Sequence, residues 1–235
     1  MRGRRSPRPR LGRVCTTISA RTPAEMAEKA ASAFALGSDI VELRIDLLRR
    51  PGPGVAGALA HLARRSVMTV RRKDEGGGFS GAERERLALI SKLSGLSPSY
   101  IDVELSTAEE NPDWYAGLCR GSQRIVSWHD FEGTPAFSVL ERARDRAASL
   151  GEVAKIVTSA KSADDNLKVL RLYEDDPGRL VAFCMGTLGT VSRLLGLRLG
   201  SPIIYASLPN EPVAAGQPPL TTVIGLKKLW EAGRW

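Results

Sequence analysis

Short runs of Val, Ile, Leu and Ala alternate along this chain with longer segments in which apolar residues recur every three or four positions. Apolar runs of four to seven residues bounded by polar or turn residues read as buried strands, and the longer periodic segments as amphipathic helices. The pattern predicts strands over 14–19, 39–45, 66–71, 100–105, 124–128, 153–158, 180–184 and 203–206. The first helix opens at Thr22-Pro23-Ala24-Glu25, with a capping hydroxyl, proline at the first helical position and an early acid. Further helices are expected over 54–64, 82–92, 112–120, 135–150, 163–173, 190–195 and 222–231.

Strict alternation of strand and helix implies a parallel sheet. Eight such pairs in one chain imply closure into a (β/α)8 TIM barrel, a single domain over residues 13–235. An open doubly wound sheet is the alternative, but no Gly-x-Gly-x-x-Gly follows the first strand. There is no internal repeat and no interdomain linker.

Composition changes this picture at one end. The chain has 235 residues and a formal net charge of +8, yet residues 1–13 hold six arginines and no acid, which leaves +2 for the remainder. Residues 1–12 therefore read as a basic Pro/Arg-rich tail with no apolar face to pack, expected to be disordered. Such a tail could touch nucleic acid. A nucleic-acid module is not the favoured reading, because the body is only weakly basic and offers no aromatic stacking platform. No apolar run approaches a membrane span, and no apolar segment follows the basic N-terminus as in a secretory signal. Cys15, Cys119 and Cys184 are odd in number and scattered, which fits reduced thiols and a cytoplasmic protein.

The candidate chemistry lies at the ends of the strands, where a barrel gathers its active site. Lys155 falls inside a Val/Ile run, and His129 ends the run before it. Lysine is rarely buried without a reason. A neutral lysine can attack a ketone to form a Schiff base, and a histidine can then move protons near neutral pH. Snorkelling to solvent is the competing explanation for Lys155. Glu42 and Arg44 are two apart and share a strand face, as do Asp102 and Glu104. Arg71 and Glu75 follow the third strand, Met185 and Arg193 the seventh, and Gln217 ends a Pro/Gly-rich loop long enough to be a lid. Several arginines point to an anionic substrate, since guanidinium grips carboxylate through two hydrogen bonds. Arg44, Arg193 and the apolar wall are the groups expected to favour a neutral Lys155. No Asp, Glu or His group has metal-ligand spacing, so neither metal nor other cofactor is expected.

Taken in order, Glu42-Leu43-Arg44-Ile45-Asp46, Arg71 with Glu75-Gly76-Gly77, Asp102-Val103-Glu104, Trp128-His129-Asp130-Phe131, Lys155-Ile156-Val157, Met185-Gly186, Ser192-Arg193-Leu194-Leu195-Gly196 and Gly216-Gln217 resemble the type I 3-dehydroquinate dehydratases. The resemblance runs from about Val14 to the C-terminus. It implies a Schiff-base (β/α)8 enzyme of the shikimate pathway, acting on the small carboxylate 3-dehydroquinate, and a homodimer. It implies that Lys155 forms the imine, that His129 is the acid/base and that Glu75 orients it. Arg193 would clamp the carboxylate, and Met185 would pack on the ring or imine. Glu42, Arg44, Arg71 and Gln217 would hold the hydroxyls and close the lid, with Asp102 and Glu104 in support. One departure is Val213, where the family often places a hydroxyl residue; Ser207 is a candidate replacement. A sugar-phosphate aldolase of the Schiff-base type is the rival enzyme reading, held open by Gly186 and Gly189.

Overall fold

The computed structural model describes residues 11–52, 54–118 and 121–233. All eight expected strands form: β1 (Arg13–Ile18), β2 (Ile40–Arg44), β3 (Ser66–Thr69), β4 (Tyr100–Glu104), β5 (Gln123–His129), β6 (Val153–Ser159), β7 (Leu180–Met185) and β8 (Ile203–Ser207). They make one parallel sheet in the order β7-β6-β5-β4-β3-β2-β1-β8. The ring is therefore a nearly closed barrel: among the described residues no ladder joins β7 to β8. Loop contacts stand in there, as the Gly186 N–H beyond β7 donates to the Ala215 carbonyl beyond β8 at 3.1 Å.

The helices are α1 (Pro23–Ala35), α2 (Val55–Leu59), α3 (Glu83–Ser94), α4 (Leu105–Glu110), α5 (Pro112–Ala116), α6 (Phe137–Leu150), α7 (Ala163–Leu170), α8 (Thr190–Leu199) and α9 (Leu220–Glu231). The Thr22 hydroxyl caps α1 by accepting from the Glu25 N–H, with proline next in the chain. The pattern missed α4, because Leu105-Ser106-Thr107-Ala108 leaves β4 with no turn residue to mark the change. It also stopped α8 short; the helix runs on to Gly200, which takes the left-handed conformation at φ 107° that favours glycine.

Of the expected tail, Leu11 and Gly12 are described. Residues 1–10, and with them most of the expected tail, lie outside the described residues. Leu11 packs against the cluster of Val14, Leu197 and Ile204. Gly12 presses on the Ser201 carbonyl so closely that no Cβ would fit. Both belong to the body. Of the expected thiols, Cys15 and Cys184 are free and buried; Cys119 lies outside the described residues.

Period-two alternation sorts the barrel into an outer apolar face under the helices and an interior that changes character along its axis. At the floor each strand contributes one inward residue: Cys15, Ile40, Val67, Tyr100, Ile125, Val153, Val181 and Ile203, all within one apolar cluster. Two residues further along, the same strands present Thr17, Glu42, Thr69, Asp102, Ser127, Lys155, Phe183 and Tyr205, all buried. The charges thus enter one step above the floor.

Arg86 of α3 supports this layer from outside. It is 1% exposed and donates to the Val70 carbonyl and to Glu104 Oε2, both at 2.8 Å, and to Thr107 Oγ1 at 2.7 Å. Removing one partner of a buried ion pair leaves the other charge uncompensated. Arg86→Ala should therefore lower the unfolding free energy by about 3–5 kcal/mol, measured by equilibrium urea denaturation. A loss within about 0.5 kcal/mol, the range of ordinary surface substitutions, would show that Glu104 needs no helix partner.

Candidate active site

The strand ends open onto a cavity of about 390 Å³, within the usual range for a small-molecule site. Its lining includes Glu42, Arg44, Arg71, Glu75, His129, Lys155, Met185, Arg193 and Gln217. Asp102 and Glu104 lie behind this surface and hold it. The structure thus brings the expected catalytic, binding and supporting residues together, while Ser207 lies outside the lining.

Lys155 is 5% exposed, so it does not snorkel. Its Nζ donates to Asp102 Oδ2 at 3.1 Å, lies 3.5 Å from Glu42 Oε1, and sits over the Tyr205 ring at 4.3 Å from the centroid. The charges in hydrogen-bond reach are carboxylates, not the arginines expected from the sequence. Arg44 is turned away into a two-point pair with Asp46, at 2.9 and 2.7 Å. Arg193 lies on a different wall, 4.0 Å over the Phe183 ring.

Asp102 touches Lys155 directly, more than the supporting place expected of it. Its Oδ1 accepts from Arg71 Nη2 and Ser127 Oγ, both at 2.7 Å. Burial opposes its charge, but Arg71, Lys155 and the Ser127 hydroxyl together hold the carboxyl well below the usual range. Arg71 in turn reaches Glu104 Oε1 at 3.2 Å. Burial works against its charge too, but Asp102 and Glu104 keep it cationic. Most of the Arg71 fork is spent on protein groups, which makes it a structural wall of the cavity as much as a donor to it.

His129 Nδ1 is 3.1 Å from Glu75 Oε2, and Glu75 Oε1 accepts from Ser106 Oγ at 3.1 Å. Burial, with Arg71 and Lys155 nearby, keeps the imidazole pKa well below its ordinary value. Burial also pushes Glu75 up to about 7, against the pull of Arg71 and with Glu104 adding to the rise. When Glu75 is ionised it accepts the Nδ1 proton, and Nε2 is left with the lone pair of a base. Phe131 stacks on the His129 ring, with centroids 6.1 Å apart, and packs against Gly76. That glycine has φ 74°, and a Cβ there would strike the Phe131 ring.

Arg193 has no carboxylate partner among the described residues. Its Nε is buried without a hydrogen bond, and Nη2 makes one long contact of 3.4 Å to the Ala215 carbonyl. Burial pushes its pKa down to about 10. A buried cation left this way is suited to a bound anion.

Gln217 latches the lid. Its amide donates to Thr17 Oγ1 at 2.9 Å and to the Ala206 carbonyl at 3.0 Å, and its Oε1 accepts from the Val213 and Ala214 N–H groups. Val213 lines the cavity. Ser207 does not replace a hydroxyl there, since it is buried with its Oγ 3.5 Å from the Pro218 carbonyl. Thr17 and Ser159 are the hydroxyls on the wall. Sequence reasoning missed Tyr205 and Phe183, which read as ordinary apolar strand residues. Their inward register and the charges one strand away were the available signal.

A model of the type I 3-dehydroquinase family matches residues 14–229. The chain is 42% identical over 207 residues to the 3-dehydroquinate dehydratase of Pyrobaculum aerophilum, spanning 87% of this chain and 66% of that protein. It is 36% identical over 222 residues to the 3-dehydroquinate dehydratase of Pyrococcus abyssi, spanning 94% of this chain and 100% of that one. The crystal structure of the Geobacillus kaustophilus 3-dehydroquinate dehydratase is similar at a TM-score of 0.83 and 25% identity, covering 94% of this chain and 91% of that chain.

The raised Glu75 carries a stability signature. Its folded pKa of about 7 exceeds its ordinary value of 4.5, so its contribution is whole below about 4.5 and is lost as pH rises through about 7. Between those limits the wild type should lose up to about 3 kcal/mol relative to Glu75→Gln, measured by urea denaturation of both proteins across pH. A constant difference between the two curves would place Glu75 in an ordinary, solvated environment.

Proposed function

The chain belongs to the type I 3-dehydroquinase family, and from that premise we propose that it eliminates water from 3-dehydroquinate to give 3-dehydroshikimate through an imine on Lys155. The observation that carries this reading is a buried lysine opening onto a cavity that also holds a carboxylate-oriented histidine and an arginine without a counter-ion.

In this reading the Lys155 ammonium gives up one proton, the neutral amine attacks the C3 ketone, and the ketone oxygen leaves as water with that proton and one from the amine, which leaves a single N–H on the iminium. The resulting iminium draws electrons from C2. His129 Nε2 takes a C2 proton, and the electron pair of that C–H bond passes into an enamine. The enamine then expels the C1 hydroxyl, which leaves as water with the proton carried by His129. Hydrolysis of the conjugated iminium returns Lys155 and the ketone, so one water is lost overall. Glu75 holds the Nδ1 proton throughout, which keeps Nε2 aimed as base and then acid. Arg193 supplies the two-point grip on the substrate carboxylate, and Met185 packs on the ring. Glu42, Arg44, Arg71 and Gln217 bound the hydroxyl side. Gln217 acts there mainly through the loop it latches, and Asp102 and Glu104 fix Lys155 and Arg71. No metal or organic cofactor takes part in this scheme. The sugar-phosphate alternative is less well supported, because the chain belongs to the type I 3-dehydroquinase family.

We also place the protein in the cytoplasm, in keeping with its free Cys15 and Cys184. No helix among the described residues is long and apolar enough to cross a membrane. A homodimer is part of the same reading. Leu188 in the turn before α8 and Val191, Leu195 and Leu199 along it run at spacings of three and four, and Leu167 of α7 joins them; all are exposed. An apolar stripe of this kind suits a self-complementary contact.

Borohydride reduction in the presence of 3-dehydroquinate should trap one adduct, on Lys155, and sugar phosphates should give none. Lys155→Ala should give no adduct. His129→Ala should still be trapped while its turnover falls by at least about 100-fold, the lower range for a positioned acid/base. An adduct of full stoichiometry in Lys155→Ala sinks the assignment.

Light scattering after size exclusion should give twice the chain mass. Val191→Glu combined with Leu195→Glu should halve that value. A monomeric wild type would mean that the α8 stripe has no such partner.

A further inference from the structure

The ammonium of Lys155 has three protons, and its carboxylate neighbours are Asp102 at 3.1 Å and Glu42 at 3.5 Å. A protonated imine keeps only one N–H. At most one carboxylate can therefore keep a hydrogen bond from the nitrogen when it joins a substrate carbon, although the positive charge remains. The third neighbour is of another kind. Nζ lies 4.3 Å from the centroid of the Tyr205 ring, over its face, and attraction between a cation and a ring face needs no N–H. The ring is held in place: Tyr205 is 4% exposed, its ring packs at 55° against Phe183 with centroids 6.4 Å apart, and its strand pairs with β1 at Cys15. Its hydroxyl is buried and has no hydrogen-bond partner among the described residues.

We propose that the Tyr205 ring is a positioning element for the imine, a partner of Lys155 whose attraction needs no N–H and so carries over from ammonium to iminium. The inference rests on the imine reading of Lys155 and adds a residue to it. Tyr205 acts through Lys155 by steadying its charge and fixing the direction in which the nitrogen faces the cavity. The part that matters is the electron-rich ring face and not the hydroxyl. Phe183 does the corresponding work under Arg193, whose guanidinium carbon lies 4.0 Å from that ring centroid. The two adjoining rings thus each carry one of the site's cations.

The test is a series at position 205 that keeps shape and changes charge distribution. Tyr205→Phe should keep kcat and the borohydride-trapped fraction within about twofold, since it removes only an unpartnered hydroxyl. Mono-, di- and trifluorophenylalanine at position 205 should lower kcat and the trapped fraction stepwise, reaching about 3- to 30-fold with the most fluorinated ring. KM for 3-dehydroquinate should change less than kcat, because the carboxylate grip at Arg193 is untouched. Tyr205→Leu should fall at the low end of the series, with thermal unfolding reporting its packing separately. A flat response to fluorination alongside a normal wild-type adduct overturns the role of the ring and leaves the imine reading standing. No adduct in the wild type overturns both.

Discussion

A lysine ammonium inside a barrel must bring its counter-charge with it, since an unpaired buried charge costs several kcal/mol. Asp102 answers that constraint for the whole site. One carboxylate oxygen meets Lys155 and the other meets Arg71 and Ser127, so a single acid neutralises parts of two cations, one on β6 and one just beyond β3. Arg71 then leans on Glu104, and Glu104 on Arg86. The chain of alternating charges runs from the barrel axis to the helix layer. Its members hold one another in place, which fixes the side chains more tightly than apolar packing alone.

Much of the fold was legible because each strand is a short apolar run between turn residues, and because parallel strands need helices between them. What escaped was local. The α4 helix follows β4 with no glycine or proline to announce it, and the pairing gap between β7 and β8 leaves no trace in hydrophobic periodicity. In the site, the strand-end charges were visible since ions in apolar runs are rare. Their pairings were not, because which carboxylate meets which cation depends on register between strands far apart in sequence. Arg86 read as one more arginine on a helix surface. Tyr205 and Phe183 read as core, and they are core, with cations resting on their faces.

The arrangement also separates two kinds of arginine. Arg44 and Arg71 are closed off by Asp46, Asp102 and Glu104 and shape the cavity. Arg193 faces it with unused donors. In the proposed reaction a substrate carboxylate would meet one open guanidinium among several occupied ones, which gives it one orientation of strong attraction. With Lys155 on β6, next to the β7 strand whose Phe183 lies under Arg193, and His129 on β5 beyond it, fixing the carboxylate would also fix which substrate carbon meets the nitrogen.

The gap between β7 and β8 gives the lid a second duty. The Gly186 N–H to Ala215 carbonyl contact, the Thr190 hydroxyl on the Gly216 carbonyl and the Gln217 latch all cross or border this gap. The loop over the cavity is thus also the clasp that finishes the barrel wall. Among the described residues the gap is the one seam of the sheet without a ladder, and the hydrogen bonds that hold the loop down are the ones that bridge it. Access to the site and the integrity of the ring are in this way governed by the same few hydrogen bonds, like a bracelet whose catch is also its opening.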